Sequence, residues 1–473
     1  MTEGVAVPAW LLVLIAALAA WALYEHVLAP ALRFLVTHPA NRVIDELGER
    51  LRIGIRPFQR TRRQALIHSL LADRKVQAAA EQFARDEGIA LAAALGRVER
   101  YAREIVPAFN AYLYFRVGYW MGRGIARSLY RVRLGYVDSD GLKSIEGSAT
   151  VVFVMNHRSN MDYILAAYLA ADHAALSYAV GEWARIWPLS ALIRAMGAYF
   201  VRRNSKDELY RRVLERYIAM ATEAGVPQAV FPEGGLTRDG RMREPKLGVI
   251  DYMMRGFRSE GERDLVFVPL GINYDRVLED RSLLRALNRE APATGRARAL
   301  WNTLAFAAHN VRLMLASEWR RFGYACVNFG TPVSMRAYCR EHGVDFQRLS
   351  GEERRRETAA LGTHLMRSVG RIVPVVPVPL IATVFVSRPE RRLSSLELKA
   401  EVERLLEELE RAGARVYVPR RDFDYAINVG LRMLLMRHLV DESDGVYAAR
   451  PEELPLLRYY ANSIAHLLDE RLQ

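Results

Sequence analysis

Three short apolar runs alternate with longer helical patterns in the middle of the chain. Residues 150–155, 228–231 and 265–270 are rich in Val, Phe, Ala and Leu, as is typical of short strands buried on both faces. Residues 161–171 follow the first run with helical spacing, and Ser159 or Asn160 can cap that helix. Strand, helix and strand in this order predict an α/β fold, with a sheet flanked by helices.

Helical patterns flank this layer on both sides. Residues 64–134 predict helices, and arginines alternate with aromatic residues over 97–133, which suits either a helix at a membrane interface or an ordinary helical subdomain. Residues 372–386 are apolar but contain three prolines, so we expect a buried extended stretch or a membrane-dipping loop. Residues 396–411 predict a charged amphipathic helix, and residues 423–468 predict two or three more helices.

The N-terminus carries an uncharged apolar run at residues 4–24, which as a helix is just long enough to span a bilayer. No basic segment precedes it, so we expect a retained transmembrane anchor rather than a cleaved signal peptide. A buried core helix or an interfacial hairpin would also explain the run. Arginines follow it and none precedes it, which predicts an inner (cytoplasmic) membrane protein whose remaining chain is cytoplasmic.

These patterns divide the chain into four regions. We predict a membrane anchor at 1–32, a basic helical region in reach of the membrane at 33–133, the α/β domain at 134–390 and a helical C-terminal region at 391–473.

The chain has a formal net charge of +13, which suits anionic partners such as nucleic acid, anionic lipid or a phosphorylated substrate. Arginine-rich codon usage would explain the charge equally well. The predicted anchor and the lack of a nucleic-acid-binding motif argue against nucleic acid. Cys326 and Cys339 lack the spacing of a zinc site, so we expect two reduced thiols and no metal.

A histidine and an aspartate lie where the first strand passes into the helix, in the segment Asn-His-Arg-Ser-Asn-Met-Asp. Ligands of open α/β sheets bind at this edge. Asp162 in the first helical turn can fold back and accept a hydrogen bond from Nδ1–H of His157, which leaves Nε2 as a general base. By spacing alone, a capping aspartate beside an unrelated loop histidine is the alternative.

Two further clusters carry groups suited to a phosphate. Gly234 and Gly235 follow the second strand, and glycines let backbone N–H groups approach an anion closely. Pairs of arginines and a lysine supply positive charge. Taken alone, a proline–glycine turn with surface arginines and a solvated strand end explain these clusters as well. The candidate phosphate ligands are Arg202, Arg203, Arg238 and Lys246.

Taken together and in this order, the segments resemble the glycerophospholipid acyltransferase superfamily. The four matching blocks are His-x4-Asp, an apolar run ending in arginine, Phe-Pro-Glu-Gly, and an apolar strand ending in proline. The forms His-Arg-Ser-x-Met-Asp-Tyr and Glu-Gly-Gly, with residues 245–248 and 457–464, are most similar to the branch that acylates glycerol 3-phosphate or dihydroxyacetone phosphate. Leu236 stands where the bacterial enzymes carry an arginine, and Asn160 where they often carry a histidine, which leaves the acceptor open.

The resemblance implies an O-acyltransferase of phospholipid biosynthesis that moves a fatty acyl group from acyl carrier protein or coenzyme A to glycerol 3-phosphate, without a metal or redox cofactor. His157 would be the general base and Asp162 its partner. Trp183, Trp187 and Met196 are candidates for an acyl groove, although core packing explains them too. Besides the phosphate candidates, the implied substrate-binding residues are Arg158, Glu233, Gly234 and Gly235.

Three other functions fit the same residues. A lysophosphatidic acid acyltransferase would share the catalytic pair, a thioester hydrolase would use water as acceptor, and a non-catalytic lipid-binding protein would need no intact pair.

Overall fold

The computed structural model describes residues 56–170, 176–181, 189–202, 205–287 and 322–468. The predicted anchor lies outside these ranges. Within them, no helix combines the length and the apolarity that crossing a membrane requires.

Helices precede the sheet, but they are shorter than one continuous pattern over 64–134 suggests, and a strand already begins at Arg131. Aspartate breaks the pattern at residue 73, where its side chain accepts the N–H groups of Lys75 and Val76 and starts a new helix. The elements are α1 (Pro57–Arg60), α2 (Arg63–Leu71), α3 (Arg74–Asp86), α4 (Leu91–Ile105), a π-helix (Leu113–Gly118) and α5 (Tyr119–Leu129).

Eight strands of the described chain form one mixed sheet, in the order β1-β7-β6-β2-β5-β3-β4, with β8 paired to β6. The three predicted strands are neighbours at its centre, where β2 pairs in parallel with both β5 and β6. The strands are β1 (Arg131–Val137), β2 (Thr150–Met155), β3 (Ser177–Val180), β4 (Tyr199–Phe200), β5 (Gln228–Val230), β6 (Leu265–Tyr274), β7 (Tyr324–Phe329) and β8 (Val333–Ser334).

Helices cover both faces of the sheet, which explains why β2 and β6 are buried along their whole length. Alternate residues of β6 enter two different cores: Val266 and Val268 face one, Leu265 and Phe267 the other. The helices between and after the strands are α6 (Ser139–Lys143), α7 (Met161–Ala170), α8 (Leu189–Ala195), α9 (Glu208–Glu223), α10 (Gly248–Arg255), α11 (Asp280–Arg285), α12 (Met335–His342) and α13 (Gly351–Gly370).

The apolar stretch at 372–386 corrects one expectation, because much of it is the buried helix α14 (Pro377–Ser387) rather than an extended segment or a membrane-dipping loop. Pro377 and Pro379 both lie in its first turn. N–H groups there have no acceptor inside the helix, so proline costs little at these positions.

The C-terminal region contains strands as well as helices. The expected helices are α15 (Ser395–Arg411), α16 (Phe423–Met436) and α17 (Leu454–Ala465). Between them, β10 (Val440–Ser443) and β11 (Val446–Ala449) form a hairpin that also pairs with β9 (Leu393–Ser394). Asp444 and Gly445 both have positive φ, as in the two-residue Asp-Gly turns that favour hairpins.

A buried ion pair joins the C-terminal region to the sheet. Arg437 Nη2 lies 2.6 Å from Asp280 Oδ2, and the Tyr460 hydroxyl donates to the same oxygen at 2.5 Å. The Tyr460 oxygen in turn accepts the N–H of Val277 at 3.1 Å. These contacts fix α17 against the start of α11.

We expect Arg437→Met to lower the free energy of unfolding by about 3–5 kcal/mol, because it leaves the Asp280 charge buried without its cation. Arg281→Met is the matched control, because Arg281 forms a more exposed pair with Glu453. Its cost should stay below about 1 kcal/mol. Urea unfolding followed by circular dichroism measures both. Equal costs for the two variants would contradict a structural role for the buried pair.

Candidate active site

His157 follows β2 at the carboxyl edge of the sheet. Its neighbour Asn156 prolongs the pairing of β2 with β6: the Asn156 amide donates to the Ile272 carbonyl at 2.9 Å and accepts the Ile272 N–H at 2.8 Å. The Asn156 side chain therefore makes the hydrogen bonds that the backbone of a paired strand would make, and it holds the loop that carries His157.

The predicted contact between His157 and Asp162 is present, with Nδ1 3.0 Å from Oδ2. The same carboxylate oxygen accepts the backbone N–H groups of Arg158 at 2.7 Å and Ser159 at 3.0 Å. The hydroxyl of Tyr274 donates to the other oxygen at 2.5 Å. The bond to Asp162 places the ring proton on Nδ1 and leaves Nε2 as an acceptor.

Tyr274 is a partner that the sequence pattern did not reveal. It is the last residue of β6, so it lies at the same edge of the sheet as His157. Burial and the nearby Asp162 carboxylate raise the pKa of Tyr274, which keeps its hydroxyl protonated as a donor. Its position at the end of an apolar strand next to β2 is the signal that could have identified it.

Aromatic rings enclose the imidazole. Phe231 stacks on His157 with ring centroids 4.0 Å apart, and Tyr163 meets it edge-on at 5.3 Å. The His157 side chain is only 2% exposed. Because Phe231 directly follows β5, the Phe-Pro-Glu-Gly segment lies beside the histidine, as parallel neighbouring strands require.

Glu233 supports the loop from the side of β5. One carboxylate oxygen accepts the His157 N–H at 3.0 Å, and the other accepts the Arg243 N–H at 3.3 Å. Burial raises the pKa of Glu233 to about 8. Thr237 N–H also donates to the His157 carbonyl at 3.0 Å. Both backbone groups of His157 are thus tied to the segment that begins at Phe231.

Gly234 and Gly235 shape this segment. Gly234 has φ +69°, a conformation that favours glycine, and the aliphatic part of Lys246 lies where a Cβ would be. Gly235 is buried. Lys246 N–H donates to the Pro232 carbonyl at 2.8 Å, so the predicted Lys246 is held close to the turn while its side chain stays exposed.

Glu279 supports the loop from the side of β6 and was also missed. Its carboxylate accepts the Ser159 hydroxyl at 2.8 Å and the Asn160 N–H at 3.2 Å. Burial raises the pKa of Glu279. No sequence motif marks it, because its partners are far away in the chain.

The predicted arginines occupy different environments. Arg158 is buried, donates to the Gly240 carbonyl at 2.5 Å and lies over the ring of Tyr459 in α17. Arg238 is exposed, and its guanidinium donates to the Ala286 carbonyl at 3.4 Å. The ligand roles of Arg158 and Arg238 stay predictions.

Arg202 lies away from this cluster. It follows β4, three places from β2 in the sheet, and its guanidinium is 2.6 Å from Glu104 Oε2. The ligand role of Arg202 stays a prediction. Arg203 lies outside the described ranges.

An apolar cavity of about 270 Å³ opens next to the histidine loop, between α5 and α7. Asn160 and Tyr163 join it to His157, and Met196, one of the groove candidates, lies in its wall. Trp183 and Trp187 are outside the described residues. The other lining residues are Tyr114, Gly118, Tyr119, Met121, Gly122, Ile125, Met161, Ile164, Ala167, Tyr168, Tyr178, Val180, Leu192, Ile193 and Leu278.

Metal ligands do not cluster in the described ranges, where no three His, Cys, Asp or Glu side chains are arranged to hold an ion. The arrangement around His157 instead suits proton transfer: a histidine oriented by a buried carboxylate, with one ring nitrogen left as a base.

Comparison with known proteins finds two family models that match successive parts of the chain. Residues 137–273 match the family model described as Acyltransferase, and residues 312–470 match the model described as glycerol-3-phosphate acyltransferase C-terminal region. A solved structure of the 1-acyl-sn-glycerophosphate acyltransferase of Thermotoga maritima is 16% identical, with a TM-score of 0.31, and the match covers 54% of this chain and 79% of that one.

Relatives named glycerol-3-phosphate acyltransferase match 91% of this chain. Those of Xylella fastidiosa and Xanthomonas axonopodis are 26% identical, and that of Aeromonas hydrophila is 25% identical. The matches cover 50%, 49% and 53% of these proteins, so the chain spans about half the length of the curated relatives. The two family models in this order, together with relatives that match almost the whole chain, support its similarity to the glycerol-3-phosphate acyltransferase branch of the glycerophospholipid acyltransferase superfamily.

Proposed function

We propose that the protein transfers a fatty acyl group from an acyl thioester, carried by acyl carrier protein or coenzyme A, to the sn-1 hydroxyl of glycerol 3-phosphate. The observation that carries this proposal is the His157–Asp162 pair, 3.0 Å apart at the carboxyl edge of the sheet and next to an apolar cavity. The matched family models and the names of the relatives support the same chemistry.

In the proposed reaction, Nε2 of His157 takes the proton of the acceptor hydroxyl as its oxygen attacks the thioester carbonyl. The tetrahedral intermediate then expels the thiolate, and the imidazolium returns its proton to the leaving sulfur. Asp162 stabilises the imidazolium, and a positioned base of this kind contributes about 10²–10⁴ in rate. The thioester is already activated, so this step needs no metal or redox cofactor.

The apolar cavity is the proposed site of the acyl chain. Its walls are almost free of polar surface, and it begins at Asn160 and Tyr163 beside the histidine loop. Burying a hydrocarbon chain there contributes about 0.8 kcal/mol for each methylene. The position would bring the thioester carbon toward His157 while the chain extends between α5 and α7.

The acceptor phosphate is proposed to bind on the exposed side of the Glu233–Lys246 segment, where Lys246 and Arg238 carry positive charge close to the histidine loop. Leu236 adds an apolar group to the same segment. That observation favours an acylated acceptor as the second candidate, so lysophosphatidic acid belongs in every acceptor assay.

We also propose that α5 rests on the cytoplasmic surface of the inner membrane. Four large apolar side chains of the π-helix and α5 are exposed, and Arg123 and Arg127 on α5 can meet anionic headgroups. The same helix lines the apolar cavity, so a chain could pass between bilayer and cavity along it. The exposed residues are Val117, Trp120, Met121 and Ile125.

We expect His157→Ala to lower kcat for acyl transfer to glycerol 3-phosphate at least 10²-fold, because it removes the base. Asp162→Asn should lose a similar amount, since it no longer fixes the Nδ1–H tautomer. Transfer of a labelled acyl group from both thioester carriers measures this, and circular dichroism checks folding. His68→Ala, which removes an exposed histidine of α2, serves as control. An active His157→Ala enzyme would rule out the mechanism.

The cavity predicts a change in chain-length preference. Gly122 lines it, and Leu at this position would fill the space of about two methylenes, so kcat/KM for long acyl donors should fall about tenfold while shorter donors are spared. Gly124→Leu is the matched control on the same helix, because nothing lies within 4 Å of a Cβ there. Identical chain-length profiles of the two variants would refute the cavity as the acyl site.

Glu233 predicts how stability depends on pH. Its pKa is about 8 in the folded protein, against 4.5 normally, so the folded state holds a proton that the unfolded state releases. The free energy of unfolding should therefore fall as pH rises from about 4.5 to about 8, by at most about 1.4 kcal/mol per pH unit from this group. In Glu233→Gln this part of the slope should vanish.

Urea unfolding at pH 5, 6, 7 and 8 measures the slope. Buried Asp275, whose pKa is about 7 because of burial, contributes to the slope in both proteins and cancels in the comparison. Glu244→Gln removes an exposed neighbouring carboxylate and should leave the slope as in the wild type. If Glu233→Gln also leaves the pH dependence of the free energy of unfolding unchanged, Glu233 is ionised in the folded protein.

A further inference from the structure

A second cavity lies between the sheet and the C-terminal region. It measures about 930 Å³ and shares no lining residue with the apolar cavity. Its walls are the last turns of α13 and α17, the segment 241–245, the loop 331–333 and the turn 412–415. We call it the C-terminal cleft. Its volume is that of a small-molecule or cofactor site, and it is far larger than a three-carbon phosphate requires.

Positive charge dominates the lining of this cleft. Five arginines face one carboxylate, that of Glu244. Within the described part of the chain, none of the five forms an ion pair, and Arg415 instead lies over the ring of Tyr136 at 3.9 Å. Several exposed arginines without ion-pair partners around one cleft suit phosphate groups. The five are Arg241, Arg243, Arg367, Arg371 and Arg415.

The inner wall carries a histidine with one unused nitrogen. Nε2 of His466 lies 3.0 Å from the Gly370 carbonyl, which places its proton there. Nδ1 is buried and has no hydrogen-bond partner among the described residues. Burial and the charge of Arg158 lower the pKa of His466, so Nδ1 remains an acceptor.

Buried Arg158 adds to the positive charge behind this wall. Its Nε and Nη2 have no hydrogen-bond partner within the described ranges, although its Nη1 donates to Gly240. An arginine with two unused donors is costly to bury. An anion in the neighbouring cleft would offset that cost electrostatically.

We propose that the C-terminal cleft binds a ligand with at least two phosphate groups and a polar, nucleotide-sized body, at a site separate from the acceptor phosphate. Two sources have this chemistry: the 3′-phosphorylated nucleotide end of a coenzyme A thioester, or a free nucleotide that regulates the enzyme. The first source rests on the proposed acyl transfer, whereas binding of a phosphorylated ligand does not.

The cleft is connected to the histidine loop through hydrogen bonds. Arg243 lines the cleft, and its N–H donates to Glu233, whose other oxygen accepts the His157 N–H. A ligand that orders the segment 241–245 would therefore also order the support of His157. Donor binding or regulation at the cleft would both reach the reaction by this route.

Titration of the full chain with adenosine 3′,5′-bisphosphate in a calorimeter tests the site. The wild type should bind it saturably, and more weakly as salt increases. The double variant Arg367→Gln/Arg371→Gln removes two exposed charges from the cleft and should bind at least tenfold more weakly. Arg432→Gln removes an exposed arginine of α16 outside the cleft and should bind as the wild type. Absent binding, or equal binding by all three proteins, would overturn the proposal.

Kinetics of the same double variant separate the sources. A KM raised about tenfold for acyl-CoA alone, with KM for acyl carrier protein thioesters and glycerol 3-phosphate unchanged, assigns the cleft to the coenzyme A nucleotide. Unchanged KM values with weakened probe binding assign it to a free nucleotide. A raised KM for glycerol 3-phosphate would overturn a separate site. If the wild type binds the probe but transfers no acyl group, the proposed function fails and the phosphate site stands.

Discussion

The Asp162 carboxylate is the group on which the arrangement of the site depends. It is 0% exposed, and a buried charge is stable only when hydrogen bonds replace its hydration. His157, two backbone N–H groups and the Tyr274 hydroxyl provide four donors. To do so, the chain must leave β2, turn sharply and start α7 with the aspartate facing back. The geometry of the histidine thus follows from the need to solvate one carboxylate.

Two more buried carboxyl groups hold that loop from opposite sides. Glu233 bonds to the backbone of His157, and Glu279 bonds to Ser159 and Asn160. Both have raised pKa values because of burial, so both are held at a cost in stability. Buried carboxyl groups of this kind often occur at functional sites, where they hold a catalytic group in position. Together they hold the loop that carries His157 from both sides.

The C-terminal region belongs to the same structural unit as the site. Residues of α14, α16 and α17 share one hydrophobic core with β2 and α7. The Arg437–Asp280–Tyr460 contacts fix α17 beside α11, directly after Glu279, and Tyr459 of the same helix packs on Arg158. The segment that matches the C-terminal family model therefore stabilises the histidine loop through the contacts of α17 with α11 and Arg158. The C-terminal cleft lies between the sheet and the C-terminal region, so a ligand bound there would contact both.

The amino-acid sequence by itself determined the features that depend on near neighbours. Continuous apolar runs predicted the three central strands, and five-residue spacing at a strand end predicted the His157–Asp162 contact, because both are set by local backbone geometry. The Asp444–Gly445 turn was equally local and could have been predicted. Only the tertiary structure decided the partners that are distant in the chain. Tyr274 lies 112 residues from Asp162, and Glu279 lies 120 residues from Ser159. Glu104, which pairs with Arg202, lies 98 residues from it. Such pairings depend on strand order and on which helix covers which face, and no local pattern encodes either.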